Sequence, residues 1–358
     1  MIHTLLIHVD AKQPDPAAIQ HAAQAIRDGK LVAFPTETVY GLGANALDPA
    51  AVTRIFAAKG RPATDPLIVH LAHIGQLSLC ASHVPPAARQ LALAFWAGPL
   101  TIILPKKPQI PDRVTAGLPS VALRVPSHRV ARALMEMAGV PVAAPSANRF
   151  SQPSPTTATH VMADLDGRVD IVLDGGPTDI GLESTIVDFT VDPPVMRRPG
   201  GLTLEQIQSV VPEVVSVTRQ GSVEVAQVAP GQLTRHYAPR AELTLYDGTV
   251  EHVIERVAAD ARTLAASGAR VGILAPEDDL LFLAPELAAL ASKGRVEMRP
   301  YGSRRDLARA AHELFAALRA LDATGVSHIL ATSIGADGLG LAVRDRLARA
   351  AEGRIRLV

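Results

Sequence analysis

The sequence predicts a mixed α/β protein with two domains, and three observations support this interpretation. The chain has 358 residues, which is long for a single domain. Its composition is 48% hydrophobic and 20% charged, as is typical of a globular protein with a substantial core. Short apolar runs alternate with helical periodicity on both sides of an aperiodic segment, and this alternation indicates sheets covered by helices.

The first 210 residues predict a mixed sheet with helices. Val52, Ile55 and Phe56 recur at helical spacing and predict a helix over 50–59, with Gly60 as its C-terminal cap. A second helix is predicted near 129–138. Short apolar runs bounded by Pro or polar residues predict strands at 31–34, 67–70, 100–104, 121–125, 140–144, 171–173 and 185–188.

Residues 211–241 are predicted to be a linker, because periodicity weakens there and Pro230, Gly231 and Pro239 interrupt the chain. Within it, residues 223–228 are β-prone. Its His, Tyr and Arg side chains favour docking over a flexible tether.

Residues 242–358 predict a smaller, parallel, three-layer α/β/α domain, because strands and helices alternate regularly there. The predicted strands are 243–246, 271–275 and 328–333, and the predicted helices are 250–266, 304–323 and 341–351. Gly335, Gly338 and Gly340 resemble a dinucleotide-binding loop only loosely, since their spacing is not G-x-G-x-x-G. An ordinary turn and a nucleotide loop both remain open for this segment.

Charge and cysteine content narrow the class of protein. The formal net charge is zero, whereas a protein that grips nucleic acid usually carries a basic excess. The single cysteine, Cys80, allows no internal disulfide and has core-like neighbours, which fits a reducing compartment. Asp10 and Lys12 interrupt the first apolar run, and no run approaches ~20 apolar residues. We therefore expect a cytoplasmic protein without a signal peptide or membrane contact.

The segment Lys59-Gly60-Arg61-Pro62 places two cations two residues apart at the end of the predicted helix. Lys59 could simply complement the helix dipole, and Arg61 could form a surface ion pair. Alternatively, both cations bind one polyphosphate, because Lys offers a point charge and Arg a planar fork with two donors. No G-x-x-x-x-G-K-[ST] loop, H-E-x-x-H, C-x-x-C or EF-hand pattern occurs, so neither a P-loop nor a protein-ligated metal is predicted.

Further polar residues follow predicted strands, where α/β folds display groups that bind ligands. Residues 35–43 combine hydroxyls and glycines and predict either a capped turn or a loop that approaches a ligand closely. His70 ends an apolar strand and is either a buried, satisfied histidine or a ligand contact. Arg124 shares a strand face with Ser120, and either a carboxylate side chain or a ligand carboxylate must answer it. Ser146 lacks the flanks of a nucleophile and is a hydrogen-bonding candidate.

Six motifs in order resemble the YrdC-like domain of threonylcarbamoyl-AMP synthases. They are the segments at 35–42, 59–62, 66–70, 145–148, 183–188 and 198–200. The end of the linker, His236-Tyr237-Ala238-Pro239, and the α/β tail resemble the two-domain form of these enzymes. The resemblance covers nearly the whole chain. It implies a YrdC-like twisted sheet with a concave, positively charged cavity, followed by a Rossmann-like domain.

The resemblance also implies a reaction. L-threonine, bicarbonate (or CO2) and ATP give threonylcarbamoyl-AMP and pyrophosphate, with Mg²⁺ held mainly through the ATP phosphates. The product serves the threonylcarbamoyladenosine modification beside the anticodon of tRNA, which implies transfer to a tRNA threonylcarbamoyl-transferase complex.

Site residues follow from the same resemblance, motif by motif. Lys59 and Arg61 are implied to act in catalysis and to hold the phosphates. The implied ATP contacts also include Ser120, Ser146, Asn148, Ser154 and Arg198. The implied threonine contacts are Thr36, His70, Arg124 and Ser184, with Tyr237 in a lid over the filled pocket.

Three positions depart from the family pattern: Ala229 stands where Ser often precedes Pro-Gly, Ala144 where a hydroxyl can occur, and Ser151-Gln152 where Ser-Gly is frequent. None of them belongs to the set of cations.

Two alternatives differ in class. An RNA-binding module would give a salt-dependent mobility shift of tRNA without ATP turnover. The balanced charge and the 3% aromatic content of this chain favour at most weak contact with tRNA. A carbamoyltransferase of the hydrogenase-maturation type would carry zinc-finger-like cysteines and an acylphosphatase-like segment, and this sequence has neither.

Overall fold

A computed structural model of the protein describes residues 2–216, 227–229 and 236–358. The chain divides into two compact units. The first comprises Met1–Phe150 and Ser154–Leu233, and the second comprises Ser151–Pro153 and Thr234–Val358. The fold class predicted from the sequence, a two-domain mixed α/β protein, is confirmed.

The described residues of the first unit form one sheet with helices packed against it. Its strands are β1 (Leu5–His8), β2 (Val32–Phe34), β3 (Gly41–Asn45), β4 (Ile68–His70), β5 (Leu100–Pro105), β6 (Ser120–Arg124), β7 (Val142–Ala143), β8 (Ile171–Asp174), β9 (Thr185–Asp188), β10 (Val195–Arg198) and β11 (Val215–Ser216). Their order in the sheet is β1-β8-β2-β3-β7-β4-β6-β5-β9-β10-β11, with parallel and antiparallel pairs mixed. Residues far apart in the chain thus become neighbours at its centre.

The helices of the first unit are α1 (Pro16–Arg27), α2 (Pro49–Lys59), α3 (Leu77–Cys80), α4 (Pro86–Phe95), α5 (Asp112–Thr115), α6 (Arg129–Ala138), α7 (Ala158–Leu165) and α8 (Leu204–Gln208). The side chain of Asp15 caps α1 by accepting from two backbone amides, and Pro16 occupies its first turn. The apolar faces of α1 and α6 pack over the sheet in one core cluster with Phe34 and Leu173.

The second unit has a five-stranded parallel sheet in the order β14-β13-β15-β12-β16. Its elements are β12 (Glu242–Asp247), α9 (Val250–Ala266), β13 (Val271–Ala275), α10 (Glu277–Ala291), β14 (Val296–Pro300), α11 (Leu307–Ala323), β15 (His328–Thr332), α12 (Leu339–Ala350) and β16 (Ile355–Leu357). Strands alternate with helices throughout, as parallel pairing requires. Among the helices of the described residues, none is long and apolar enough to cross a membrane.

The structure differs from the sequence prediction at residues 41–45, which form β3 although residues 35–43 were predicted to be a turn or a loop close to a ligand. A Cβ on Gly43 would lie 2.7 Å from the ring of Phe34 and 2.9 Å from Val142. Glycine is required there because a neighbouring side chain of the core fills the space. Within the predicted linker, β11 extends the sheet, whereas residues 217–226, with most of the β-prone run, and residues 230–235 lie outside the described part.

Candidate active site

One face of the central strands β4, β6 and β5 carries two rows of side chains. His70 pairs with Arg124, and Arg124 pairs with Thr101, so these three polar residues lie side by side. One step along the strands, Ile68 pairs with Ala122 and Ala122 with Ile103. Because paired residues on neighbouring strands point to the same side, a polar row and an apolar row share this face.

Arg124 is the charged centre of the polar row and is 4% exposed. Its Nη2 donates to Glu37 Oε1 at 2.6 Å and to Thr38 Oγ1 at 2.9 Å. The sequence left open whether a side chain or a ligand answers this cation, and the structure shows a side chain. The Nε atom of Arg124 is nevertheless buried without a hydrogen-bond partner among the described residues.

His70 lies beside Arg124 and is buried. Burial, and then the positive charge of Arg124, lower the pKa of His70 to about 3, so its imidazole is neutral at physiological pH. Its Nδ1 lies 3.3 Å from the carbonyl oxygen of Ile68, and its ring packs edge-on against Phe34. A neutral ring at this position can accept or donate one hydrogen bond towards a ligand.

A chain of hydrogen bonds extends the polar row beyond Thr101. The hydroxyls of Thr101 and Ser184 lie 2.7 Å apart, and Arg198 Nη2 donates to Ser184 Oγ at 3.2 Å and to Ser184 O at 2.9 Å. Gly200 permits this arrangement, because a Cβ there would lie 2.3 Å from the carbonyl oxygen of Glu183. The turn after β10 can therefore pass close to Glu183 and Ser184, and Arg198 reaches Ser184, the residue before β9.

The apolar row forms a small core cluster with Ile186 and with Ala229, which is fully buried. Gln227, two residues earlier, donates its backbone amide to Thr64 O at 3.0 Å. The described linker residues 227–229 thus lie on this face of the first unit.

Lys59 and Arg61 lie at the end of α2, where Gly60 adopts a left-handed conformation with φ 66° and ends the helix. Both side chains are buried. Lys59 Nζ donates to Ser146 O and Asn148 O, each at 2.5 Å, and Arg61 donates to Pro66 O at 2.7 Å and pairs with Asp65 at 3.0 Å. Neither residue is a surface cation, because both are buried. Their hydrogen bonds hold the loops around the start of β4.

Three of the predicted ATP contacts lie at this end of the strands. Ser146 and Asn148 lie in the loop bound by Lys59, and Ser120 begins β6, half-buried. Four residue steps along the strand separate Ser120 from Arg124, or about 13 Å. Ser154 is buried and donates to Glu183 Oε1. The predicted ATP contacts are thus divided: Ser120, Ser146 and Asn148 lie towards the start of β4 and β6, whereas Ser154 and Arg198 contact Glu183 and Ser184 beside the polar row.

Thr36 and Tyr237 complete the predicted set. The Thr36 hydroxyl lies 2.8 Å from the Thr38 hydroxyl and donates to Val39 O at 2.7 Å, which links it to the partners of Arg124. Tyr237 belongs to the second unit, is fully buried, and packs against His236 and Phe315 at centroid distances of 4.0 and 5.2 Å. Its role as a lid stays a prediction.

Sequence reasoning assigned no role to several buried polar residues of this region: Glu37, Thr38, Asp65, Thr101 and Glu183. Glu37 and Thr38 stand inside the motif at 35–42 and Glu183 inside that at 183–188, so a signal existed for them. Thr101 is the one polar residue of the predicted strand 100–104, and this is the signal that could have found it.

A protein-held metal site does not fit these residues. Across residues 2–216, 227–229 and 236–358, no three His, Cys, Asp or Glu side chains are grouped so that they could hold a metal ion. The oxygens that Lys59 and Arg61 contact come from backbone carbonyls, the Asn148 amide and the Asp65 carboxylate, and the carboxylates of Asp65 and Glu37 each pair with an arginine.

Comparison with known proteins gives full-length similarity. Residues 24–200 match a family described as "Telomere recombination", and residues 202–352 match the C-terminal domain of threonylcarbamoyl-AMP synthase. The chain is 44% identical to threonylcarbamoyl-AMP synthase of Pyrococcus abyssi, covering 98% of this chain and 99% of the relative. It is 44% identical to that of Bacillus subtilis, covering 95% and 94%. The crystal structure of P. abyssi Sua5 complexed with L-threonine matches with a TM-score of 0.90 at 43% identity, covering 99% of both chains.

Proposed function

The chain belongs to the threonylcarbamoyl-AMP synthase family, and we propose that it converts L-threonine, bicarbonate (or CO2) and ATP into threonylcarbamoyl-AMP and pyrophosphate. One observation carries the proposal: the similarity to synthases of two organisms extends over at least 95% of this chain. The polar row, the apolar row and the buried cations of the first unit support it, because they supply a carboxylate anchor and phosphate contacts within one unit.

Threonine is held by the polar row in this proposal. Its carboxylate satisfies the buried Nε of Arg124, and its hydroxyl or amine meets the neutral His70 and the hydroxyls of Ser184 and Thr36. The free amine then attacks CO2, a C–N bond forms, and the amine loses a proton to give the N-carboxylate. Neutral His70 suits this step because its imidazole can accept a hydrogen bond from the amine while the amine attacks CO2.

Adenylyl transfer follows from the same placement. An oxygen of the carbamate attacks the α-phosphorus of ATP, and the bond from that phosphorus to the bridging oxygen breaks, releasing pyrophosphate. Lys59, Arg61 and Arg198 hold the phosphates, and Ser120, Ser146, Asn148 and Ser154 supply polar contacts to the nucleotide. Acceleration comes mainly from positioning and from offsetting the charge that develops on phosphate oxygens.

Mg²⁺ enters this reaction as the complex with ATP, that is, as part of the substrate. The product is a mixed anhydride of a carbamate and AMP, so a transferase must take up the threonylcarbamoyl group before water cleaves it. We propose that this acceptor is a tRNA threonylcarbamoyl-transferase complex, which places the reaction in the cytoplasm with tRNA.

The test measures pyrophosphate release from Mg-ATP and bicarbonate, with and without L-threonine. The expected result is release that requires threonine, together with a product that mass spectrometry identifies as threonylcarbamoyl-AMP. Release independent of threonine, or no release by folded protein, would overturn the proposal.

A further inference from the structure

Glu37 is a buried carboxylate held at three points in the loop that follows β2. Its Oε1 accepts from Arg124 Nη2 at 2.6 Å, and its Oε2 accepts from the backbone amide of Ser127 at 3.1 Å. Its own carbonyl oxygen accepts from the amide of Ile180 at 2.8 Å. Glu37 is 4% exposed, and these three hydrogen bonds fix its position in the protein.

The contacts of Glu37 bear on function through Arg124, the arginine that it anchors. Its Nη2 uses both of its hydrogens on Glu37 and Thr38, and its Nε, buried in the polar row, has no partner among the residues that the structure describes. A buried donor without an acceptor is costly for a folded protein, and the cost is removed when a ligand supplies the acceptor. The guanidinium is thus anchored on one side and unsatisfied on the other.

An arginine has many rotamers, and an unanchored one would lose freedom when it bound a carboxylate. Glu37 and Thr38 have already removed this freedom before any ligand arrives. Glu37 also neutralises the arginine while the site is empty, which allows a buried cation to persist there.

We propose that Glu37 is a positioning residue, which holds the Arg124 guanidinium so that its remaining donors face the carboxylate of an incoming amino acid. The inference rests on the proposed function, in which that amino acid is L-threonine. Glu37 acts through Arg124 and has no part in the transfer of the adenylyl group. Replacing Glu37 should therefore weaken the binding of threonine and leave the binding of ATP unchanged.

The test compares Glu37→Gln with wild type in threonine-dependent pyrophosphate release and in threonine binding by calorimetry without ATP. We expect KM and Kd for threonine to rise by roughly ten- to hundredfold, the range for one lost charge-assisted hydrogen bond. We expect KM for ATP to stay within about twofold. Glu37→Asp, which keeps the charge but shortens the side chain, should recover part of the affinity.

Glu136→Gln is the matched control. Glu136 also pairs with an arginine, Arg132 at 3.4 Å, but both side chains are about half exposed, so the same chemical change should leave both KM values unaltered.

Two results would overturn the proposal: an unchanged KM for threonine in folded Glu37→Gln, or equal rises in the KM values for threonine and ATP. If Glu37→Gln does not fold, Glu37→Asp, which moves the carboxylate away from Nη2, should still raise KM for threonine alone; an unchanged value would equally overturn the idea. Failure of the proposed function itself is distinct, because the wild type would then show no threonine dependence.

Discussion

His70 makes the stability of the first unit depend on pH, because protonation of its buried ring opposes folding. Burial and the neighbouring cation Arg124 lower its pKa to about 3 in the folded protein, against about 6.5 in an unfolded chain. Above pH 6.5 both states are neutral and the residue has no pH-dependent effect. As the pH falls from 6.5 towards 3, only the unfolded state takes up the proton, and stability is lost at a slope of about 1.4 kcal/mol per pH unit.

At pH 5 this linkage amounts to about 2 kcal/mol relative to pH 7.5. The assay is urea unfolding at the two pH values, followed by tryptophan fluorescence, because the single tryptophan, Trp96, lies in the first unit. Wild type is expected to lose about 2 kcal/mol more than His70→Gln between pH 7.5 and pH 5. The exposed His21 gives the control, since His21→Gln should keep the full loss.

Equal losses in wild type and His70→Gln would refute the reasoning, since they would show that the folded protein accommodates a protonated His70. If the glutamine variant does not fold, His70→Leu removes the same titration and should show the same reduced pH dependence.

Three further predictions concern the cations, the second unit and the cysteine. Lys59→Ala should lower pyrophosphate release about 10- to 100-fold, whereas the exposed Lys12→Ala should match wild type; equal activities would remove Lys59 from the site. Asp279→Asn breaks the ion pair between a fully buried carboxylate and half-buried Arg304 in the second unit, and should lower stability by about 3 kcal/mol in urea unfolding followed by circular dichroism; an unchanged midpoint would contradict it. Burial raises the pKa of the Cys80 thiol to about 11, so Ellman's reagent at pH 8 should label it only in the urea-unfolded chain, and comparable labelling of the native protein would be contrary to its burial.

Much of the fold was accessible from the sequence because its signals are local. The helix at 129–138 and the helix at 250–266 agree with the structure at both ends, as do the strands at 185–188 and 271–275. In these segments apolar periodicity is bounded by Gly, Pro or polar residues, and such boundaries depend on neighbouring residues alone. Helix α10 was missed, because Pro285 and several exposed apolar residues obscure its periodicity.

The partners of the site residues were less accessible, because they depend on contacts between distant segments. Glu37, whose carboxylate pairs with Arg124, lies 87 positions earlier in the chain. Lys59 donates to the carbonyl oxygens of residues 87 and 89 positions later. Periodicity shows that Arg124 shares a face with Ser120, but only the sheet order brings His70 and Thr101 beside it. The roles assigned to these residues stay predictions until the variants are measured.

The pairing of β1 with β8 has a consequence for synthesis of the chain. Thr4, just before β1, donates to the carbonyl oxygen of Val169, 165 positions away, and at 5–20 residues per second the ribosome needs roughly 8–30 s to span that interval. Ser184 and Arg198, which extend the polar row, emerge later still. A nascent chain therefore carries His70, Arg124 and Thr101 for many seconds before their sheet can close. We expect this long-range topology to make folding of the first unit slow and dependent on late-synthesised strands, so stalled translation before residue 200 would leave an incomplete site.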